Sequence, residues 1–150
     1  MIRPALRSDL DAIMRVEQAA HSHPWAASIM QRYLEKPDTC WVCEEAGVIQ
    51  AHSVVSAIAG EAELLTIAVH PDMQGRGLGS KMLNQVIAQA QRHQAEQIFL
   101  EVRESNHVGI ALYEKAGFCE LGRRTNYYPV FDESGKSSGR EDALLLGLPL

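Results

Sequence analysis

The stretch Gln74-Gly75-Arg76-Gly77-Leu78-Gly79 is the part of this chain best suited to holding a phosphate. Its three glycines let the backbone approach an anion with no Cβ in the way. It follows the apolar run Leu64 to Val69 and leads into an amphipathic segment, so it reads as the turn between a strand and a helix. The first N–H groups of a helix have no partner within it, and the helix dipole favours negative charge there. Arg76 could add a charge-assisted contact. A Walker loop would need a Gly-Lys-Ser/Thr ending, which is absent. The glycines run G-x-G-x-G, not the G-x-G-x-x-G of dinucleotide-binding turns. A glycine-rich turn that binds nothing is the competing reading.

Two further side chains could move protons. Glu101 lies in Ile98-Phe99-Leu100-Glu101-Val102-Arg103, where alternation puts Ile98, Leu100 and Val102 on one face and Phe99, Glu101 and Arg103 on the other. A carboxylate inside such a strand is either a general base or half of an ion pair, with Arg103 or another base as its partner. Tyr113 lies in a helical stretch after Asn106, nearly two turns further on, so both share one stripe about 10 Å long. Gly109 lies near that stripe and would let a ligand come close. An ordinary amphipathic-helix tyrosine is the alternative for Tyr113. Tyr127 and Tyr128 are adjacent in a strand, so one can pack inward while the other faces a groove.

The elements that must position these groups follow from periodicity. Met1 to Leu6 reads as a strand, with Ser8 as the N-cap of a helix carrying Leu10, Ile13, Met14 and Glu17 to Ala20. A shorter helix spans Ala26 to Leu34 and ends before Pro37-Asp38. Strands Thr39 to Glu45, Val48 to Ile58 and Glu63 to Val69 follow, joined by Ala46-Gly47 and Ala59-Gly60 turns. Leu64 to Val69 is apolar on both faces except at Thr66, which suits a central strand. A long helix then carries Leu78, Met82, Val86 and Ala90 on one stripe. Strand Gln97 to Val102, helix Val108 to Ala116 closed by Gly117, and strands Phe118 to Tyr128 and Asp142 to Leu148 complete the chain. Phe131 to Gly139 reads as a polar, mobile loop. The order β-α-α-β-β-β-α-β-α-β-β describes an α/β fold, a mixed sheet with helices on both faces.

The bulk properties narrow the function classes. With 150 residues, 46% apolar and 22% charged, the chain has the composition of one soluble folded domain, residues 1-150. The N-terminus MIRPALRSDLDAIMR is charged throughout, with no apolar core of a leader, and no run is long enough to cross a membrane. A cytoplasmic protein with no membrane partner is expected. A net charge of −5 disfavours direct nucleic-acid binding and suits a cationic partner, such as a free amine or a basic peptide. Cys40 and Cys43 spell C-x-x-C but sit in a β-rich run, where positions three apart face opposite ways, so they read as core-filling thiols. His21 and His23 form H-x-H without a carboxylate cluster at ligand spacing, so no metal is expected.

The run Leu64 to Asp72 into Gln74-x-x-Gly77-x-Gly79 resembles the strand and acyl-CoA loop of GNAT acetyltransferases. Leu100-Glu101-Val102-Arg103-Glu104-Ser105-Asn106 and Ala111-Leu112-Tyr113-Glu114-Lys115-Ala116-Gly117-Phe118 resemble the RimI-type, ribosomal-protein-alanine N-acetyltransferase branch. Ala20 to Trp25, Arg124 to Pro129 and Arg140 to Ala143 agree with that branch too. The resemblance implies the GNAT fold and acetyl-CoA as co-substrate, with no metal. It implies that Ile67, Ala68 and Val69 pair with the pantetheine arm. It implies that Gln74, Gly75, Arg76, Gly77, Leu78, Gly79 and Ser80 hold the pyrophosphate, and that Asn106 touches the cofactor. It also implies Glu101 as proton acceptor, Tyr113 as proton donor to the CoA thiolate, and the N-terminal peptide of a ribosomal protein as acceptor. Tyr127 and Tyr128 would then wall the peptide. The Phe131 to Gly139 connection is longer than is usual in that branch.

Transfer to an amine needs a neutral nitrogen. A peptide α-amine, with a reference pKa near 8, gives up its proton about 3 kcal/mol more readily than lysine, so a modest base suffices.

Overall fold

The computed structural model describes residues 1–150. Its elements are β1 (Ile2–Pro4), α1 (Leu10–Ala20), α2 (Ala27–Leu34), β2 (Cys40–Glu45), β3 (Val48–Ile58), β4 (Glu61–Val69), α3 (Leu78–Arg92), β5 (Gln97–Arg103), α4 (His107–Lys115), β6 (Cys119–Phe131) and β7 (Ser137–Pro149), with short 3-10 turns at Arg7–Asp9 and Pro71–Met73. This is the order expected from the sequence. The strands form one sheet in the order β1-β2-β3-β4-β5-β7-β6, so β4 takes the central place that its two-sided apolar pattern demands. Every pairing is antiparallel except β4 with β5.

A core lies on each face of the sheet. On one, Ile13, Met14 and Val16 of α1 and Met30 of α2 close over Cys40, Val42, Val54 and Ala68. On the other, Met82, Leu83, Val86 and Ala90 of α3 and Tyr113 of α4 close over Cys43, Ala51, Ile67, Ile98, Leu100 and Val102. Cys40 and Cys43 therefore fill opposite cores as free thiols, and burial pushes the Cys40 thiol up to about 12. The Ala46-Gly47 and Ala59-Gly60 connections are two-residue turns. Both residues have positive φ (51° and 79°, 53° and 84°), the twist that suits tight hairpins.

Two expectations need correcting. Ser8 does not cap α1, because it lies inside the 3-10 turn Arg7–Asp9 and Asp9 takes the cap position. Asp9 is fixed there by Arg3 at 2.8 Å and accepts the Leu6 N–H at 2.7 Å, while Arg3 Nε also reaches Glu44 at 2.9 Å. A guanidinium is a stronger partner than any available to the Ser8 hydroxyl. Phe131 to Gly139 is not a loop throughout. β6 and β7 continue into it, with Val130 opposite Gly139 and Phe131 opposite Ser137. Asp132 closes the tip by accepting the N–H groups of Ser134 (2.9 Å) and Lys136 (3.0 Å), the local bonding that lets an Asp start a turn.

Leu100 is 2% exposed in the core under α3. Leu100→Ala should cost about 2–5 kcal/mol in urea denaturation, and a loss below about 1 kcal/mol would contradict this packing. Arg3 holds the Asp9 carboxyl below its ordinary value. Its folded-state pKa is thus below the unfolded one, so the stabilisation is present at neutral pH and lost as the pH falls through the carboxylate range. Asp9→Asn should lower stability at pH 7 and flatten the acid side of the stability profile.

Candidate active site

β4 and β5 pair only at Glu61 with Gln97, Ala62 with Ile98 and Glu63 with Phe99. Beyond that point they part, and β4 keeps β3 alone as a neighbour. A bulge at Leu65 marks the change, since Val54 pairs with Thr66 but Val55 pairs with Leu64. Backbone groups alternate along an antiparallel strand. The His70 N–H donates to Gln50 on β3 at 2.8 Å, so Ile67 and Val69 turn theirs to the opposite, open edge. The Ile67 carbonyl there accepts His21 Nε2 at 3.1 Å, and the Val69 carbonyl accepts Gln74 Nε2 at 3.1 Å. The N–H groups of Ile67 and Val69 lie on that same edge, available to a ligand's carbonyls.

The glycine loop closes one end of this opening. Gly75 and Gly77 have φ of 80° and 81°, conformations that cost a Cβ-bearing residue about 1 kcal/mol or more. Gly77 is the N-cap of α3. The N–H groups from Gly75 through Ser80 have no acceptor in the protein, the first bonded one being Lys81 to Gly77 at 3.1 Å. A row of free N–H groups at a helix start is an anion cradle. Gly79 lies beside α4, where a Cβ would come within 3.4 Å of the Leu112 side chain. Together these elements enclose a cavity of about 390 Å³ lined by Ala20, His21, Ile67, Ala68, Val69, Gln74, Gly75, Gly77, Leu78, Gly79, Ser80, Asn106, Val108, Gly109, Leu112 and Tyr113. Every cofactor-contact residue expected from the sequence lines it except Arg76, which is exposed.

Tyr113 reaches the cavity from α4. It is buried, its ring meets Phe118 edge-on at 5.8 Å, and its hydroxyl has no hydrogen-bond partner in the protein. Burial raises its pKa, so the phenol keeps its proton at neutral pH. Asn106 caps α4 by accepting the Gly109 N–H at 3.0 Å. A Cβ at Gly109 would stand 2.7 Å from the Asn106 carboxamide nitrogen. The missing side chain at Gly109 therefore makes room for the helix's own cap, as well as bordering the cavity.

Glu101 lies on the face of β5 expected from alternation, but it lines neither this cavity nor its neighbour. Its ion pair is with Arg124 at 3.1 Å, not with Arg103. Arg103 instead donates to the Pro129 carbonyl (2.9 Å) and Glu141 (3.3 Å) and stacks over Tyr128 at 4.5 Å. Arg124 lies over the Tyr127 ring at 5.1 Å, and the two tyrosine rings meet edge-on at 5.0 Å. Tyr127 is exposed and Tyr128 half-buried, so the adjacent pair divides as strand alternation requires. Glu101, Arg124 and the tyrosines thus form one group on the β6–β7 side of the opening.

A second, polar cavity of about 280 Å³ adjoins the first and shares Ala20, His21 and Asn106 with it. Its other walls are Ser22, His23, Arg103 and Ser105. His21 escaped the sequence reading, which weighed it only as a metal ligand. The available signal was its position four residues after Glu17, which places both on one helical stripe.

The model of the acetyltransferase (GNAT) family matches residues 8–118. The [ribosomal protein bS18]-alanine N-acetyltransferase of Escherichia coli K12 is 38% identical over 148 residues, covering 95% of this chain and 93% of that one. The protein of the same description from Haemophilus ducreyi is 33% identical with both chains covered in full. The crystal structure of the ribosomal-protein-S18-alanine N-acetyltransferase from Escherichia coli superposes with a TM-score of 0.89 at 36% identity, over 99% of this chain and 92% of that one. Ard1 from Thermoplasma volcanium gives a TM-score of 0.86 at 24% identity, a likeness of fold. The splayed strands, the glycine cradle and these likenesses agree, and the chain belongs to the GNAT acetyltransferase family.

Proposed function

We propose that this protein transfers an acetyl group from acetyl-CoA to the N-terminal α-amine of a protein, with the terminal alanine of a small-subunit ribosomal protein as the acceptor. The observation that carries the acceptor is the 38% identity to the Escherichia coli enzyme across nearly the whole of both chains. The site's own features are consistent with it. The N–H row from Gly75 to Ser80 fits a pyrophosphate, and the edge donors of Ile67 and Val69 fit the amide carbonyls of a pantetheine arm. Acetyl-CoA brings an activated acetyl thioester, and the remaining work belongs to the chain. The cytoplasm is the setting such a substrate implies, and no helix is long and apolar enough to cross a membrane.

In becoming an amide, an ammonium nitrogen loses two protons and the departing sulfur gains one. Tyr113 is the donor to sulfur, a role supported by its protonated state and its free hydroxyl on the cavity wall. Glu101 is a proton acceptor for the amine. Arg124 orients its carboxylate from a largely exposed position, where an ion pair is weak and readily opened by an arriving ammonium group. Tyr127 and Tyr128 wall the peptide beside it.

Glu101→Gln should lower kcat about 10²-fold or more while leaving the acetyl-CoA Kd within about twofold, measured by steady-state kinetics and calorimetry. A comparable loss of acetyl-CoA binding would make Glu101 structural instead. Tyr113→Phe should lower kcat with little change in Tm. Mass spectrometry of an alanine-initiated peptide that also carries an internal lysine should locate the acetyl group on the α-amine. Acetylation only on lysine, or turnover of small amines in preference to the peptide, would overturn the acceptor assignment.

A further inference from the structure

Glu17 is 1% exposed and lines neither cavity. Its carboxylate gathers groups from four places: the Trp25 N–H at 3.1 Å, the Thr66 hydroxyl at 3.3 Å, His52 Nε2 at 3.1 Å and His21 Nε2 at 3.7 Å. Burial opposes its charge. The His52 contact, the neighbouring His21 ring and the Trp25 N–H outweigh that and hold the carboxyl below its ordinary value. Glu17 is therefore an anion, buried 3.7 Å from His21 Nε2.

One nitrogen of His21 faces two groups that only accept, and the Thr66 hydroxyl at 3.4 Å, which gives its own proton to Glu17. Nε2 lies 3.1 Å from the Ile67 carbonyl and faces Glu17, and neither group can donate. The bond to Ile67 thus requires the proton on Nε2. In the neutral ring Nδ1 is then the unprotonated nitrogen, and it has no hydrogen-bond partner in the protein. The ring lines both cavities, at the junction where a thioester held along β4 would meet an amine entering from the polar side. A carbonyl that fixes an imidazole's tautomer, with a buried carboxylate 3.7 Å away that would steady the imidazolium, is an arrangement that makes histidine an effective base.

We propose that His21 is a second proton acceptor of the reaction, with Glu17 as its positioning residue. The amine nitrogen sheds two protons, and one acceptor cannot hold both. As the C–N bond forms and the C–S bond breaks, an N–H bond of the amine breaks and an Nδ1–H bond forms on His21. Glu101 takes the other nitrogen proton, Tyr113 gives one to sulfur, and one proton in all leaves to solvent. The groups facing His21 are Glu17 on α1, Thr66 and the Ile67 carbonyl on β4, His52 on β3 through Glu17, and His23 and Arg103 across the polar cavity. This assignment rests on acetyl transfer to an amine, not on the alanine peptide in particular.

The test compares His21→Gln, His21→Ala and Glu17→Gln with the wild type, by CoA release on the alanine peptide and, in parallel, on spermidine. Glutamine keeps an N–H for Ile67 but has no basic nitrogen. His21→Gln should lower kcat about 10²-fold, keep the acetyl-CoA Kd within about threefold, and remove one ionisation from the acidic limb of the kcat/KM profile. Glu17→Gln should lower kcat less and move that limb to lower pH, because the imidazolium loses its carboxylate. A His21→Gln variant within about threefold of wild-type kcat with an unchanged profile would overturn the assignment. So would loss of acetyl-CoA binding in His21→Ala that glutamine fully restores along with the rate, since His21 would then only support the strand. If the wild type turns over spermidine and not the peptide, the acceptor assignment fails, and the same comparison on spermidine still decides the role of His21.

Discussion

β4 and β5 run parallel, side by side, and leave each other after three rungs at Glu63 and Phe99. Almost everything in the site depends on that parting. A fully paired β4 would have spent the backbone groups of Ile67 and Val69 on β5, and α4 would have no gap to border. The bulge at Leu65 sits at the divergence and adds local twist. β5 is held from its other edge, where β7 runs along it from Gln97 opposite Pro149 to Arg103 opposite Ala143. The sheet stays continuous at its base and opens at its top. The opening is guarded, since the two edge carbonyls are held by His21 and Gln74 and only donors remain free.

The polar groups around the opening are arranged by environment as much as by type. Tyr113 is enclosed by apolar neighbours and keeps its proton, while Glu101 stands on the opposite face of β5 beside an exposed arginine. Arg103 and Arg124 each join an acidic partner to a tyrosine ring, which fixes the β6–β7 wall without an apolar core of its own. Glu17 is the exception, a carboxylate fully removed from water. A buried anion is tolerated only when several polar partners converge on it, and here the Trp25 N–H of the α1–α2 connection and the Thr66 hydroxyl of β4 donate while His52 Nε2 of β3 stands 3.1 Å away. The same convergence ties the polar cavity's wall to the strand that borders the larger cavity.

Much of this was readable from local chemistry. Gly75 and Gly77 announce positive φ, the alternation of Ile98, Leu100 and Val102 fixes the face of Glu101, and Ala46-Gly47 and Ala59-Gly60 mark hairpins because few other pairs adopt that twist. The features that escaped depend on register between distant strands. Arg124 meets Glu101 only because β7 lies between their strands and aligns Ala143 and Leu145 with them. Arg76 has the right charge for a phosphate, yet it is exposed and does not line the cavity. Asp9 displaced Ser8 through a tertiary partner, Arg3, that local propensity does not contain. The polar composition of Phe131 to Gly139 hid a hairpin extension whose ladder bonds are indifferent to side-chain polarity.

The most direct test of the splayed-edge account is to follow the backbone amides of ¹⁵N-labelled protein as acetyl-CoA is added. Hydrogen bonding to a pyrophosphate and a pantetheine arm should shift the resonances of Gly75 through Ser80 and of Ile67 and Val69, and slow their exchange with solvent. Thr66 and Ala68, whose amides already serve β3, should change far less. Saturable binding that leaves the Ile67 and Val69 amides unmoved and unprotected would contradict the account, because the cofactor would then lie somewhere other than the open edge of β4.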